Sequence, residues 1–177
     1  MSKKRLATVW LDGCSGCHMS FLDIDERLLT LAESADLVYS PLVDVKEFPE
    51  GVDVTLVEGA VSSEEDLRKI KMVRDRTNTL VSLGDCAVTA NVPGMRNPFT
   101  TKEVYARAYL ENATLDPGIP VQDLPRLLSQ ARPIHEIVPV DVFVPGCPPS
   151  ADTIFYVVNE LLAGRRPEVS SRTRFGA

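Results

Sequence analysis

The residues with the richest chemistry in this chain are its four cysteines, and their spacing is uneven. Cys14 and Cys17 stand two residues apart in "WLDGCSGCHMS" (10–20), while Cys86 and Cys147 follow after 68 and 60 intervening residues. A thiolate is a nucleophile, a redox group and a soft metal ligand. The set therefore has three readings: a CxxC dithiol with two spare thiols, a tetrahedral zinc site, or an iron–sulfur cluster. Structural zinc sites usually present two close pairs, and only one close pair is present here. A cuboidal cluster accepts ligands from scattered loops, so spacing favours it. A thioredoxin-type CxxC is expected to open straight into a helix, and that reading leaves Cys86 and Cys147 without a task.

The elements that must position these residues follow from hydropathy. Apolar runs at 6–11, 37–43, 54–59, 79–84 and 140–146 are apolar on both faces, as in a buried parallel sheet. Amphipathic segments lie between them. In "SFLDIDERLLTLAESA" (20–35), Phe21, Ile24, Leu28, Leu31 and Ala35 share one helical face. Further helices are expected over 62–77, with Ser63 as N-cap and acidic residues in its first turn, over 100–113, and over 150–164 between Ser150 and Gly164. This alternation predicts an α/β fold with a mainly parallel sheet and helices on both faces, in a single domain spanning 1–177. The proline-rich stretch 91–139 reads as an excursion from the sheet, and the tail 165–177 as a mobile end or docking arm.

Three of the apolar runs end in a glycine-containing turn that carries cysteine: "VWLDGCSGC", "LVSLGDC" and "VFVPGC". In a parallel sheet the loops after the C-terminal strand ends gather along one edge, where such folds place their sites. Cys14, Cys17, Cys86 and Cys147 are thus expected to converge. The adjacent glycines let the backbone turn and bring N–H groups near an anionic centre. The helix beginning after Cys147 adds its positive dipole end.

Composition narrows the partners. A net charge of −6 over 177 residues excludes a broad nucleic-acid footprint, and no apolar run approaches the roughly 18 residues that span a bilayer. The N-terminal residues show neither an apolar export segment nor a twin-arginine signal, which predicts a soluble, cytoplasmic protein.

Taken in order, "CSGC" after a first strand, "GDC" after a central strand and "PGCPPS" before a late helix resemble the small subunit of [NiFe] hydrogenases. They come nearest the short small subunits of cytoplasmic, bidirectional NAD-reducing enzymes. "VEGAV" (57–61) is similar to the segment after that family's third strand, and the resemblance covers residues 5–165. It implies a flavodoxin-like fold in which Cys14, Cys17, Cys86 and Cys147 ligate one [4Fe–4S] cluster, the one proximal to a nickel–iron centre held by a separate large subunit. It further implies electron relay between hydrogen oxidation there and a diaphorase, with iron–sulfur clusters and flavin, that reduces NAD+. Related readings are the cluster subunit of a quinone reductase, whose adjacent cysteines differ from this CxxC, and of a ferredoxin- or coenzyme-linked hydrogenase. A zinc-stabilised binding module is the alternative of another class.

Departures from the family pattern also matter. The extra C-terminal clusters of membrane-bound relatives have no cysteines here. Gly16 stands where some oxygen-tolerant members add a cysteine, and Met19 and Ser20 stand where many relatives carry a glutamate. His18 has two readings, a hydrogen-bond donor to a cluster sulfur or a polar residue of the first helical turn. Glu58, at the same sheet edge, either takes part in proton traffic or accepts an N–H bond in a turn. Asp12 and Asp85 read as turn formers, Trp10 as a core or interface aromatic, His135 as a surface residue, and 91–100 as interface or loop.

Overall fold

The computed structural model describes residues 3–173 and 175. Five parallel strands form the central sheet: β1 (Lys4–Trp10), β2 (Ala35–Tyr39), β3 (Val52–Glu58), β5 (Thr77–Leu83) and β7 (Val142–Val144), in the order β2-β1-β3-β5-β7. This is the doubly wound, flavodoxin-like order, and it agrees with the α/β expectation. Register is set by apolar pairs such as Leu6 with Val54, Leu56 with Val81, and Leu83 with Val144. The chain leaves β1 to build β2 on one side and then returns to build β3 on the other, so the switch point lies between the C-terminal ends of β1 and β3.

Both sheet faces are covered, as their two-sided apolarity requires. On one face α1 (Gly16–Leu22), α2 (Arg27–Ser34) and α7 (Ala151–Leu162) bury Phe21, Leu31, Ile154 and Val157 against Leu6, Val54, Leu56 and Val144. On the other, α3 (Glu64–Asp75) packs Ile70 and Val73 against Ala7, Val9, Val57 and Leu80, joined by Ile134 and Val138 from the late loop. The predicted N-cap of α3 is present as a reciprocal capping box: the Ser63 hydroxyl accepts from the Asp66 N–H, and the Asp66 carboxylate accepts from the Ser63 N–H at 2.9 Å. Replacing Ser63 with Ala is expected to cost about 1 kcal/mol, read as a lower thermal midpoint at unchanged far-ultraviolet circular dichroism.

Several expectations change. The helix read over 20–35 is two helices: Asp25 turns left-handed (φ 60°) between α1 and α2, and Ala35 already opens β2. Periodicity cannot see this break, because Ile24 and Leu31 on either side face the same core. The helix read over 100–113 is α6 (Thr101–Ala106), which widens to a π-helical turn over Arg107–Glu111. Within the excursion 91–139, β6 (Leu127–Arg132) pairs antiparallel with the short β4 (Val61–Ser63), a second small sheet without an apolar signature. The described tail lies along α7, with the Thr153 hydroxyl donating to the Arg172 carbonyl and the Arg172 guanidinium 3.9 Å from the Tyr156 ring centre. Positions 174, 176 and 177 of the tail lie outside the described residues.

Candidate metal centre

The cysteines follow three strand ends, with Cys14 just before α1 and Cys17 within it, Cys86 in α4 (Asp85–Thr89) and Cys147 in the loop before α7, and backbone hydrogen bonds tie each of these segments to a neighbour. After β1, the Leu11 N–H donates to the Glu58 carbonyl at 3.0 Å, and Asp12 and Ala60 exchange bonds of 3.1 and 2.7 Å. The crossing is so close that a Cβ on Gly59 would stand 2.7 Å from the Leu11 carbonyl carbon. After β5, the Gly84 N–H donates to the Val144 carbonyl at 2.8 Å and the Asp85 N–H to the Gly146 carbonyl at 2.9 Å. The Asp85 carboxylate accepts the Gly146 N–H in return at 2.6 Å, completing the clamp between the Cys86 and Cys147 loops. The Ser20 hydroxyl then donates to the Pro149 carbonyl at 2.6 Å, joining α1 to the Cys147 loop, where the Cys147–Pro148 peptide is cis. Asp12 and Asp85 are therefore turn and clamp residues, as their neighbouring glycines suggest.

Within this frame the sulfurs share one locality. Cys14 and Cys147 are exposed at its rim, and Cys17 and Cys86 are half-buried below. A Cβ on Gly84 would fall 2.2 Å from the Cys17 sulfur, and one on Gly16 would fall 3.2 Å from the Cys14 sulfur, so the glycines leave the room that the sulfurs occupy. The Gly16 N–H donates to Cys14 Sγ at 3.4 Å, and the Asn91 side chain, at the start of α5 (Asn91–Gly94), donates to Cys147 Sγ at 3.6 Å. Burial pushes the Cys17 thiol well above its ordinary range, and the Glu58 carboxylate, which accepts its hydrogen bond, and the charges of Cys86 and Cys14 add to the rise. The Cys86 thiol is also raised, first by burial, with Cys14, Cys147 and Glu58 adding, against a lowering contribution from the Val92 backbone. Cys17 thus senses Cys14 and Cys86, and Cys86 senses Cys14 and Cys147.

α1 begins at Gly16 inside the motif, so the CxxC does open directly into a helix. What separates this site from a self-contained dithiol is that Cys86 and Cys147 lie in the same locality. Ionising the buried thiols requires cationic charge at their centre, which a bound metal supplies. Among the described residues no three His, Cys, Asp or Glu side chains are disposed to hold a single metal ion. Four thiols in one locality are a donor set for a soft metal or an iron–sulfur cluster.

Sequence reasoning missed the arrangement of His18. Its side chain is buried and points away from solvent toward Glu58 and Thr8, not onto a cysteine sulfur. The Glu58 carboxylate, also buried, accepts the His18 backbone N–H at 3.1 Å. A polar residue at each end of this contact is visible in the sequence, but only the crossing of β1 and β3 brings positions 18 and 58 together. Trp10 is largely exposed and donates its indole N–H to the Gly13 carbonyl at 3.2 Å, and His135 stacks edge-on against Phe143.

Known proteins resemble this chain over most of its length. The family described as "NADH ubiquinone oxidoreductase, 20 Kd subunit" matches residues 14–161. The delta subunit of the NAD-reducing hydrogenase HoxS of Cupriavidus necator is 46% identical over 92% of this chain and 80% of its own. A subunit of the F420-non-reducing hydrogenase of Methanothermobacter marburgensis is 39% identical over 96% of this chain, which spans only 56% of that relative. The crystal structure of an NAD+-reducing [NiFe]-hydrogenase in the H2-reduced state contains a chain that superposes with a TM-score of 0.93 at 40% identity, over 98% of this chain and 99% of that one. A [NiFeSe]-hydrogenase chain from Dm. baculatum, at 17% identity and a TM-score of 0.61, shares the fold. The chain belongs to the NADH ubiquinone oxidoreductase 20 kDa subunit family and, within it, is a hydrogenase small subunit of the NAD-reducing type.

Proposed function

We propose that this chain is the electron-transfer small subunit of a cytoplasmic NAD-reducing [NiFe] hydrogenase, with Cys14, Cys17, Cys86 and Cys147 holding one [4Fe–4S] cluster proximal to the nickel–iron centre of a large subunit. When bound, the cluster supplies a one-electron carrier between hydrogen oxidation in the large subunit and a diaphorase, with its own clusters and flavin, that reduces NAD+. The observation that carries the reading is the convergence of four thiols from the loops after β1, β5 and β7 into one electrostatically coupled group.

The chain's own residues do the positioning. The two backbone clamps set the distance between loops, Gly84 makes room for the Cys17 sulfur, and the Gly16 and Asn91 N–H groups donate to rim sulfurs. Trp10, at the end of β1, and Met19, Val92, Met95 and Phe99, on the loops and helices that follow β1 and β5, are exposed apolar residues. They supply a dry surface for the large subunit, which is the kind of contact that excludes water from an electron path. No helix among the described residues is long and apolar enough to cross a membrane. Identity favours the NAD-reducing reading over the F420-non-reducing one, at 46% against 39%.

Metal analysis of the anaerobically purified protein tests the assignment. About four irons and four acid-labile sulfides per chain are expected. One zinc with neither overturns it in favour of a zinc-stabilised module.

A further inference from the structure

Behind the Cys17 corner runs a chain of four buried polar side chains that the electron relay itself does not require. Glu58, His18, Thr8 and Ser40 are all 5% exposed or less. Thr8 Oγ1 donates to Ser40 Oγ at 2.8 Å, and Ser40 Oγ also accepts the Leu42 N–H. His18 Nε2 in turn lies 2.9 Å from Thr8 Oγ1. The opposite ring edge, Nδ1, comes within 2.7 Å of Glu58 Oε1, while Glu58 Oε2 accepts the His18 backbone N–H. The 2.7 Å contact is close but poorly aligned, and Nδ1 and Oε1 have no other partner. A carboxylate this deeply buried beside sulfur ligands is costly unless something fixes it and takes up its field.

We propose that His18 is a positioning residue: its backbone N–H and ring together hold the Glu58 carboxylate at the Cys17 corner, with Thr8 and Ser40 fixing the ring from behind. The inference rests on the iron–sulfur reading above. The carboxylate takes its orientation from the His18 backbone N–H at 3.1 Å and from the ring contact at 2.7 Å. Free to turn toward the sulfurs, it adds negative charge beside them and disfavours reduction of the cluster.

The test is a redox titration of the complex with its large subunit, followed by electron paramagnetic resonance, with iron counted per chain. His18→Leu is expected to move the cluster midpoint to more negative potential and alter the line shape. Thr8→Val, which removes the ring's anchor and its link to Ser40 but leaves the ring in place, is expected to move it the same way by less. Glu58→Gln shifts it positive, and His18→Gln recovers most of the wild-type value. Should His18→Leu fail to assemble, Thr8→Val decides: a negative shift at full iron content supports the inference. A wild-type potential and line shape in Thr8→Val, with iron complete, overturns it and leaves His18 a structural residue. Failure of the parent reading is distinguishable, because the unsubstituted protein would then contain no iron–sulfur cluster at all.

Discussion

Cys86→Ser is expected to abolish hydrogen-dependent NAD+ reduction by the assembled complex and to lower its iron and sulfide content, with far-ultraviolet circular dichroism unchanged. The physical reason lies in where Cys86 sits. It is half-buried and senses the charge of both Cys14 and Cys147, so it occupies the middle of the group. A serine hydroxyl is a harder and far weaker ligand for iron than a thiolate, and the chain has no fifth cysteine to move in. The substitution is nearly isosteric, and Cys86 is not part of either core cluster, so the fold persists. Full activity with full iron in this variant would remove Cys86 from the ligand set. The measurement is an activity assay paired with metal analysis of the same preparation.

The second large effect comes from a residue with no side chain. Gly84 adopts φ +82°, a conformation that L-residues rarely hold, and a Cβ there would lie 2.2 Å from the Cys17 sulfur. Gly84→Ala therefore combines backbone strain of about 1–3 kcal/mol with a collision that expels the sulfur from its place. The expected outcome is a lower thermal midpoint together with loss of most of the bound iron. Gly164→Ala separates the two causes. Its φ is +73° and open space surrounds it, so it carries strain without collision and is expected to lose stability while keeping full iron content. Equal iron loss in both variants would show that strain alone empties the site.

The cysteine-bearing strands were legible in sequence because parallel, buried strands are apolar on both faces, and glycine after each one marked the turn. That same logic brought the four cysteines to one edge without knowledge of any contact. The small β4–β6 sheet was not legible, since Val61–Ser63 is three residues long and Leu127–Arg132 is half polar. The α1–α2 break was hidden by a periodicity that continues across Asp25. The Glu58–His18 contact was hidden for another reason: it joins the end of β3 to the first turn of α1, 40 residues apart in sequence, and no local pattern encodes that approach.

The loop clamps also bear on how the chain is policed before it is loaded. The first cysteine follows β1 and the last follows β7, so no fragment or half-folded intermediate can present all four thiols. Only a chain whose central strands have all paired offers the complete set, and metal bound there stabilises that state by mass action. On the proposed cluster assignment, loading becomes a proofreading step that only a fully paired sheet passes, and slower hydrogen exchange on metal insertion should spread through β1, β3, β5 and β7 together.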